Sequence, residues 1–191
     1  MNRTARFPIV GITGRARSGK DTVKDIILDN FAAWGYSFAE PMYAMARVMG
    51  VNSRDFSDAF KEQPIQKFAA RGIDVSPRKL LQTLGTEWGR NLIDPQIWVS
   101  LAAEQFEDHG SGMVISDARF ENEADFIRSK GGTMIHVQRS MPNETRSHVS
   151  ENGIEFKDGD ILITNDGTLA DLESAIVEAV YAINSRKQIH S

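Results

Sequence analysis

The stretch Gly14-Arg15-Ala16-Arg17-Ser18-Gly19-Lys20-Asp21 constrains this chain more than any other feature. It matches the pattern G-x-x-x-x-G-K followed by a hydroxyl residue at seven of eight positions. An apolar run, Phe7-Pro8-Ile9-Val10-Gly11-Ile12, precedes it and reads as a buried strand. After it, Val23, Ile26, Ile27, Phe31 and Trp34 recur at helical spacing, and Gly35 reads as the helix end. Strand, glycine loop and helix in that order make a phosphate cradle. The glycines let backbone N–H groups turn inward around oxygens, and the helix adds its positive end. All of Gly14, Arg15, Ala16, Arg17, Ser18, Gly19, Lys20, Asp21 and Thr22 are therefore candidates for holding a nucleoside triphosphate, with Lys20 reaching its β- and γ-phosphates. The eighth position departs from the pattern, with Asp21 where Ser or Thr is expected and Thr22 next. Asp21 could hold Mg²⁺ directly or through water, or it could only favour the helix N-terminus by its charge.

The rest of the chain alternates in the same way. Tyr36-Ser37-Phe38-Ala39 reads as a short second strand, and Pro41 opens a helix. Residues 51–76 are mixed and polar. Pro77 starts a helix carrying Leu80, Leu81 and Leu84, and Pro95 one carrying Trp98, Val99 and Leu101. Met113-Val114-Ile115-Ser116 is a strand that ends in Asp117. A helix with Ala124, Phe126 and Ile127 runs to Gly131-Gly132. Thr133–Val137 is the next strand, ending near Arg139, and residues 140–159 read as a loop or lid. Ile161-Leu162-Ile163 is the last strand. Leu169, Leu172, Ile176, Val180 and Ile183 mark the last helix, with Thr168 and Asp171 at capping-box spacing. Such alternation predicts an α/β domain on a parallel sheet, with ligands at the carboxyl ends of the strands. The 191 residues suit one domain spanning 1–191.

Composition narrows the partners. The net charge is −4, so the chain gains nothing from bulk electrostatics toward nucleic acid, and none is expected as a partner. It contains no cysteine, which removes disulfide frameworks and thiolate metal sites and fits a cytoplasmic location. The N-terminal apolar run is too short for a membrane span and lacks a cleavage pattern, so no membrane association is expected. His109, His136, His148 and His190 are scattered without metal-site spacing.

Several stretches together resemble the deoxynucleoside monophosphate kinases of tailed bacteriophages. They are SGKDT at 18–22, AEP at 39–41, RKLLQTLGTEWGRN at 78–91, ISDARFENEAD at 115–125, GGTMIHVQR at 131–139, SHVSENGI at 147–154 and DGDILITNDGTLADL at 158–172. The phosphate loop is shared by many families, whereas LLQTLGTEWGR and the final stretch are far more specific. The resemblance implies a phosphate-loop fold of the nucleoside monophosphate kinase type: a five-stranded parallel sheet, helices on both faces and a small lid. It implies the reaction ATP + dNMP → ADP + dNDP with Mg²⁺, serving DNA precursor synthesis in the cytoplasm of an infected host. It also suggests a homodimer. Carried over by position, Lys20 is the loop lysine, and Arg78, Gln82 and Arg90 fall in the monophosphate-binding region, about 40–92. Asp117 and Arg119 match an acidic-x-Arg pair after a core strand, Arg139 ends a strand beside a lid at about 140–157, and Asn165 falls where such kinases place a loop near the ATP base.

That chemistry needs positioning and charge stabilisation more than a strong base, because the accepting phosphate oxygen already carries charge. It asks for Lys20 and converging arginines, and Arg15, Arg17, Arg78, Arg90, Arg119, Arg139 and Arg146 all fall in loops or near element ends. Lys20, Arg119 and Arg139 are the catalytic candidates. Each has a plainer alternative: Arg119 could pair with Glu121 or Glu123, Arg78 could be an exposed helix residue, and Arg146 an ordinary solvated charge. Asp117 has the strand-end position of a Mg²⁺-linked carboxylate, as Asp21 has in the loop, but could instead cap the next helix. Gln82 and Trp88 could recognise the acceptor base, although a tryptophan is more often core, as Trp34 and Trp98 are read here. His148 could contact phosphate, and His136, in a strand, is read as structural. Two other functions fit parts of the pattern. A dephospho-coenzyme A kinase shares the ending, and a nucleotide-hydrolysing switch shares the loop but needs an N-K-x-D motif absent here.

Overall fold

The β-branched run Ile9-Val10-Gly11-Ile12-Thr13-Gly14 forms strand β1 (Ile9–Gly14) at the centre of a sheet, because every one of its residues through Thr13 is buried and both neighbours pair with it. The computed structural model describes residues 7–140 and 153–188. Strands β2 (Trp34–Tyr36), β3 (Met113–Ile115), β4 (Thr133–Gln138) and β5 (Ile161–Thr164) complete a five-stranded sheet in the order β2-β3-β1-β4-β5. All its pairings are parallel, and Gly11 lies level with Ile115 on β3 and Met134 on β4. This is the α/β class read from the alternation. The order turns back on itself at β1, which opens a crevice beyond the carboxyl ends of β1, β3 and β4.

Alternation along the strands sends residues to two faces. Val10, Ile12, Val114, Ile135, Val137 and Ile163 join one core with Val23, Ile26 and Ile27 of α1 (Lys20–Asn30) and Leu172, Ile176, Val180 and Ile183 of α7 (Leu169–Gln188). On the other face α6 (Glu121–Ser129) packs against β1 and β4, and Ile127 and Met134 close on Gly11 so tightly that a Cβ there would displace their side-chain ends. The capping box at the start of α7 forms: Thr168 N–H and Oγ1–H donate to Asp171 Oδ2 at 2.8 and 2.7 Å, and Asp171 N–H donates back to Thr168 Oγ1 at 3.2 Å.

The first helix corrects the reading at Gly35. It stops at Asn30, whose side-chain amide takes the Ile26 carbonyl at 3.0 Å, and Phe31 turns extended at φ −127° and ψ 158°. Trp34 and Gly35 then belong to β2, held by pairing to β3, so tertiary pairing overrides the helical spacing that reached Trp34. Trp34 is consequently half-buried on an edge strand, its ring 4.7 Å from His109, and not a core residue as expected.

The chain divides into two compact units: Met1–Ser37 with Ala102–Ser191, which holds the sheet, and Phe38–Leu101. Helix α5 (Ile97–His109) crosses the boundary. The second unit has its own small core of Ala46, Val51 and Ile65 with Phe56, Phe68 and Leu80 around it. Here α2 (Glu40–Val48) carries Pro41 in its first turn. The polar segment 51–76 forms a 3₁₀ turn (Ser53–Phe56) and α3 (Gln66–Ala69). Helix α4 (Pro77–Gln82) then widens into a π-helix over Thr83–Ile93. The expected helix is thus two kinds of helix in succession. Trp98 lies against the widened part, donating its indole N–H to the Gly85 carbonyl at 2.8 Å. A Cβ at Gly89 would come within 2.8 Å of Trp98 Cε2, so the indole needs glycine there.

Candidate active site

The phosphate loop begins where β1 ends. Gly14 passes so close to Val137 O on β4 that a Cβ would overlap it, and Gly19 takes φ 103°, a left-handed conformation that glycine adopts freely. Arg17 takes φ 65°, which costs a non-glycine residue about 1 kcal/mol, so the loop holds its shape against local preference. Ser18 N–H donates to Arg15 O at 3.2 Å, and Ser18 Oγ is buried with no hydrogen-bond partner among the described residues. Lys20 folds back over the loop: its Nζ donates to Gly14 O at 2.8 Å and to Arg15 O at 2.7 Å. An ammonium has three donors, so this fixes Lys20 above the loop with one N–H to spare. Burial lowers its pKa below the ordinary value and Arg119 lowers it further, while Asp21 and Asp117 act in the opposite sense.

That balance reports the geometry: Lys20, Asp21, Asp117 and Arg119 share one electrostatic neighbourhood. Asp117 follows β3, and its Oδ2 accepts a hydrogen bond from Ser37 Oγ at 2.7 Å, just past the end of β2. Ser116 Oγ lies 3.5 Å from Asp21 Oδ1, across from the first turn of α1. The N-cap position of α6 is Phe120, three residues past Asp117. Glu123 closes the start of that helix, with its buried carboxylate accepting from Arg119 N–H at 2.7 Å and Phe120 N–H at 3.1 Å. Nor do the acidic neighbours of Arg119 neutralise its guanidinium. Glu123 binds backbone, and Glu121 pairs with Arg128 and Lys157 at 2.9 and 2.7 Å. Arg119 is exposed, as are Asp21, Thr22, Ala16 and Arg17. Sequence reading missed Ser37, Ser116 and Glu123. A hydroxyl at each of two strand ends was the available signal for the first two, and a Glu three residues into a helix for the third.

At the far side of the sheet, Asn165 follows β5 and donates its side-chain amide to Ser18 O at 2.8 Å. Arg139 is exposed after β4, and its charge helps lower the pKa of Asp166, after the Ser140 N–H and hydroxyl that bond that carboxylate at 2.7 Å each. His136, read as structural, is buried, with Nε2 3.2 Å from Asp160. Arg146 and His148 lie outside the described residues, as does most of the expected lid.

The candidates for the acceptor lie in the second unit. Arg78 is exposed and ion-paired with Glu62. Gln82 is exposed at the end of α4, and Arg90 is half-buried in the π-helix. Trp88 is 37% exposed, its ring centroid 6.4 Å from that of the fully buried Trp98, so of the two only Trp98 is core. The structure thus gathers Lys20, Asp21, Asp117, Arg119 and Asn165 around the loop in one unit, and places Arg78, Gln82, Trp88 and Arg90 on α4 and the π-helix of the other. Among the described residues no three His, Asp or Glu side chains gather as a metal cage, and no helix is long and apolar enough to cross a membrane.

A deoxynucleotide monophosphate kinase family profile matches residues 42–176. The chain is 28% identical over 237 residues to the deoxynucleotide monophosphate kinase of Escherichia phage RB69, covering 88% of this chain and 97% of that one. It is also 28% identical over 217 residues to the deoxynucleoside-5'-monophosphate kinase of Escherichia phage T5, covering 78% and 86%. Its fold matches a gluconokinase from Sinorhizobium meliloti 1021 with a TM-score of 0.54 at 13% identity, over 99% of both chains. That match places the sheet in the phosphate-loop kinase fold. The chain therefore belongs to the deoxynucleotide monophosphate kinase family and is an enzyme that phosphorylates deoxynucleoside monophosphates.

Proposed function

We propose that the transfer runs from ATP with Mg²⁺, ATP + dNMP → ADP + dNDP, with the donor held by the loop at Gly14–Thr22 and the acceptor by the region 40–92. The observation that carries this reading is Lys20, held over the loop by two carbonyls in a neighbourhood that also contains Asp21, Asp117 and Arg119. Loop N–H groups and the α1 N-terminus bind the β- and γ-phosphates, and the partly desolvated Lys20 ammonium attracts them more strongly than an exposed lysine would. Arg119 and Arg139 stabilise charge on the transferring group. Arg78, Gln82 and Arg90 bind the acceptor's phosphate and base, and Trp88, with its exposed ring, offers the base a face.

The residues present suit Mg²⁺, which takes one or two carboxylates and completes its shell with waters and substrate phosphates. Asp21 and Asp117, which share the neighbourhood of Lys20, would hold the ion, and it would supply neutralisation of phosphate charge. In the transfer, a phosphate oxygen of the acceptor attacks the γ-phosphorus in line. The bond to the bridging oxygen breaks, and ADP leaves with that electron pair. The acceptor oxygen is already ionised, so no side chain has to remove a proton.

The test is ADP formation from ATP and Mg²⁺ against the four dNMPs, the ribonucleotides and dephospho-coenzyme A. Turnover with one or more dNMPs, reduced at least about a thousandfold in Lys20→Ala, supports the assignment. Turnover with dephospho-coenzyme A alone, or none above the rate without acceptor, overturns it.

A further inference from the structure

Resting on that reading of the phosphate loop, we infer that Asn165 is a positioning residue that sets the loop for phosphate, acting on its backbone and not on the base of the donor. Three observations converge. The Asn165 side-chain amide donates to Ser18 O at 2.8 Å, across 147 residues of sequence. Gly19 sits so close that a Cβ there would overlap Asn165 Nδ2. Asn165 is itself fixed, because its backbone N–H donates to Gln138 O, at the end of β4, at 2.7 Å.

The consequence follows from peptide geometry. In a planar trans peptide the C=O and N–H point in opposite directions. Holding the Ser18 carbonyl toward Asn165 therefore turns the Gly19 N–H the other way, away from β5. The same hold supports the left-handed φ of 103° at Gly19, which sets the direction of the next N–H, that of Lys20, at the start of α1. Cradling an oxyanion requires successive N–H groups to converge, and one rotated peptide breaks the set. Asn165 supplies, from the end of β5, an external brace for a loop that already carries strain at Arg17. The pairing also explains why the position beside it is glycine: any side chain at 19 would displace the amide.

The test separates bracing from base recognition by using a ligand with no base. Binding of inorganic tripolyphosphate and of ATP is measured by calorimetry for the unaltered chain, Asn165→Ala and Asn165→Asp, alongside kinetics with the best dNMP acceptor. Asn165→Asp keeps the shape but offers no donor. The urea midpoint of each variant, compared with that of the parent, shows that both are scored as folded protein. We expect tripolyphosphate and ATP to weaken by the same factor in Asn165→Ala, about tenfold for the loss of one orienting hydrogen bond, with at least that loss in Asn165→Asp. KM for ATP rises in step, while KM for the dNMP stays as it was. Weaker ATP binding with unchanged tripolyphosphate binding would overturn the inference and return Asn165 to the base. Unchanged binding of both would overturn it as well. Failure of the unaltered chain to bind tripolyphosphate would instead overturn the phosphate-loop reading, and the inference with it.

Discussion

Replacing Asp160 with Asn removes one oxygen and one charge from a buried cluster, and its cost can be worked from the structure. The Asp160 side chain is 3% exposed. Arg128 donates to it through Nη2 at 2.7 Å and Nε at 3.4 Å, Lys157 N–H donates at 2.9 Å, and His136 Nε2 lies at 3.2 Å. Burial pushes the carboxyl up, but the hydrogen bonds from His136, Arg128 and the Lys157 backbone, with the Arg128 charge, outweigh it and hold the pKa at about 2 against an ordinary 3.8. At 1.36 kcal/mol per pH unit that difference is worth roughly 2.5 kcal/mol in favour of the folded chain. Because the folded pKa lies below the unfolded one, this stability is fully present above about pH 4 and is lost as pH falls toward 2. Asp160→Asn should therefore cost roughly 2–3 kcal/mol at pH 7, below the range for fully buried pairs because Arg128 keeps 17% of its exposure. For a chain of this size that lowers Tm by about 5–10 °C. Urea unfolding of both proteins from pH 7 to pH 2 is the assay. The gap between them should be widest at pH 7, narrow below pH 4 and close near pH 2. A gap under about 1 kcal/mol at pH 7, or one that does not change with pH, refutes the assignment of charge to this cluster.

Other changes read out different parts of the molecule. Gly89→Ala puts a methyl into the Trp98 indole, within 2.8 Å of Cε2 and 3.0 Å of Leu84 O, and should destabilise by about 1–3 kcal/mol with a shift in tryptophan emission. An unchanged urea midpoint would show that the π-helix is not shaped by that contact. Ser37→Ala removes the 2.7 Å hydrogen bond to Asp117 and should raise the Mg²⁺ concentration for half-maximal ADP formation about tenfold, with Ser37→Thr restoring it. If the Mg²⁺ requirement does not move, Asp117 is not on the metal.

The loop was legible because its pattern is local: Gly14, Gly19 and Lys20 fall within seven residues, and a strand and a helix on either side announce it. Strands β1, β3 and β4 were legible for a related reason, since each is a short buried run. The second strand, read at Tyr36–Ala39, lies instead at Trp34–Tyr36, because pairing to β3 and not burial defines it. The capping box of Thr168 and Asp171 is likewise written within four residues. Where a residue's place depended on a distant partner, the sequence was silent or misleading. Gly35 has the position of a helix stop, but β3 recruits it into a strand. Gly85 and Gly89 fit an α-helix and a π-helix equally well by spacing, and Trp98 separates the two cases. Trp88 and Trp98 are alike in type, yet one keeps 37% of its surface and the other 1%. The links from Ser37 to Asp117 and from Asn165 to Ser18 span 80 and 147 residues. Periodicity and spacing report the faces of single elements. Which strand ends lie side by side at the crevice, and so which hydroxyl or amide reaches which carboxylate or carbonyl, is decided by the order β2-β3-β1-β4-β5, and only the packed sheet fixes that order.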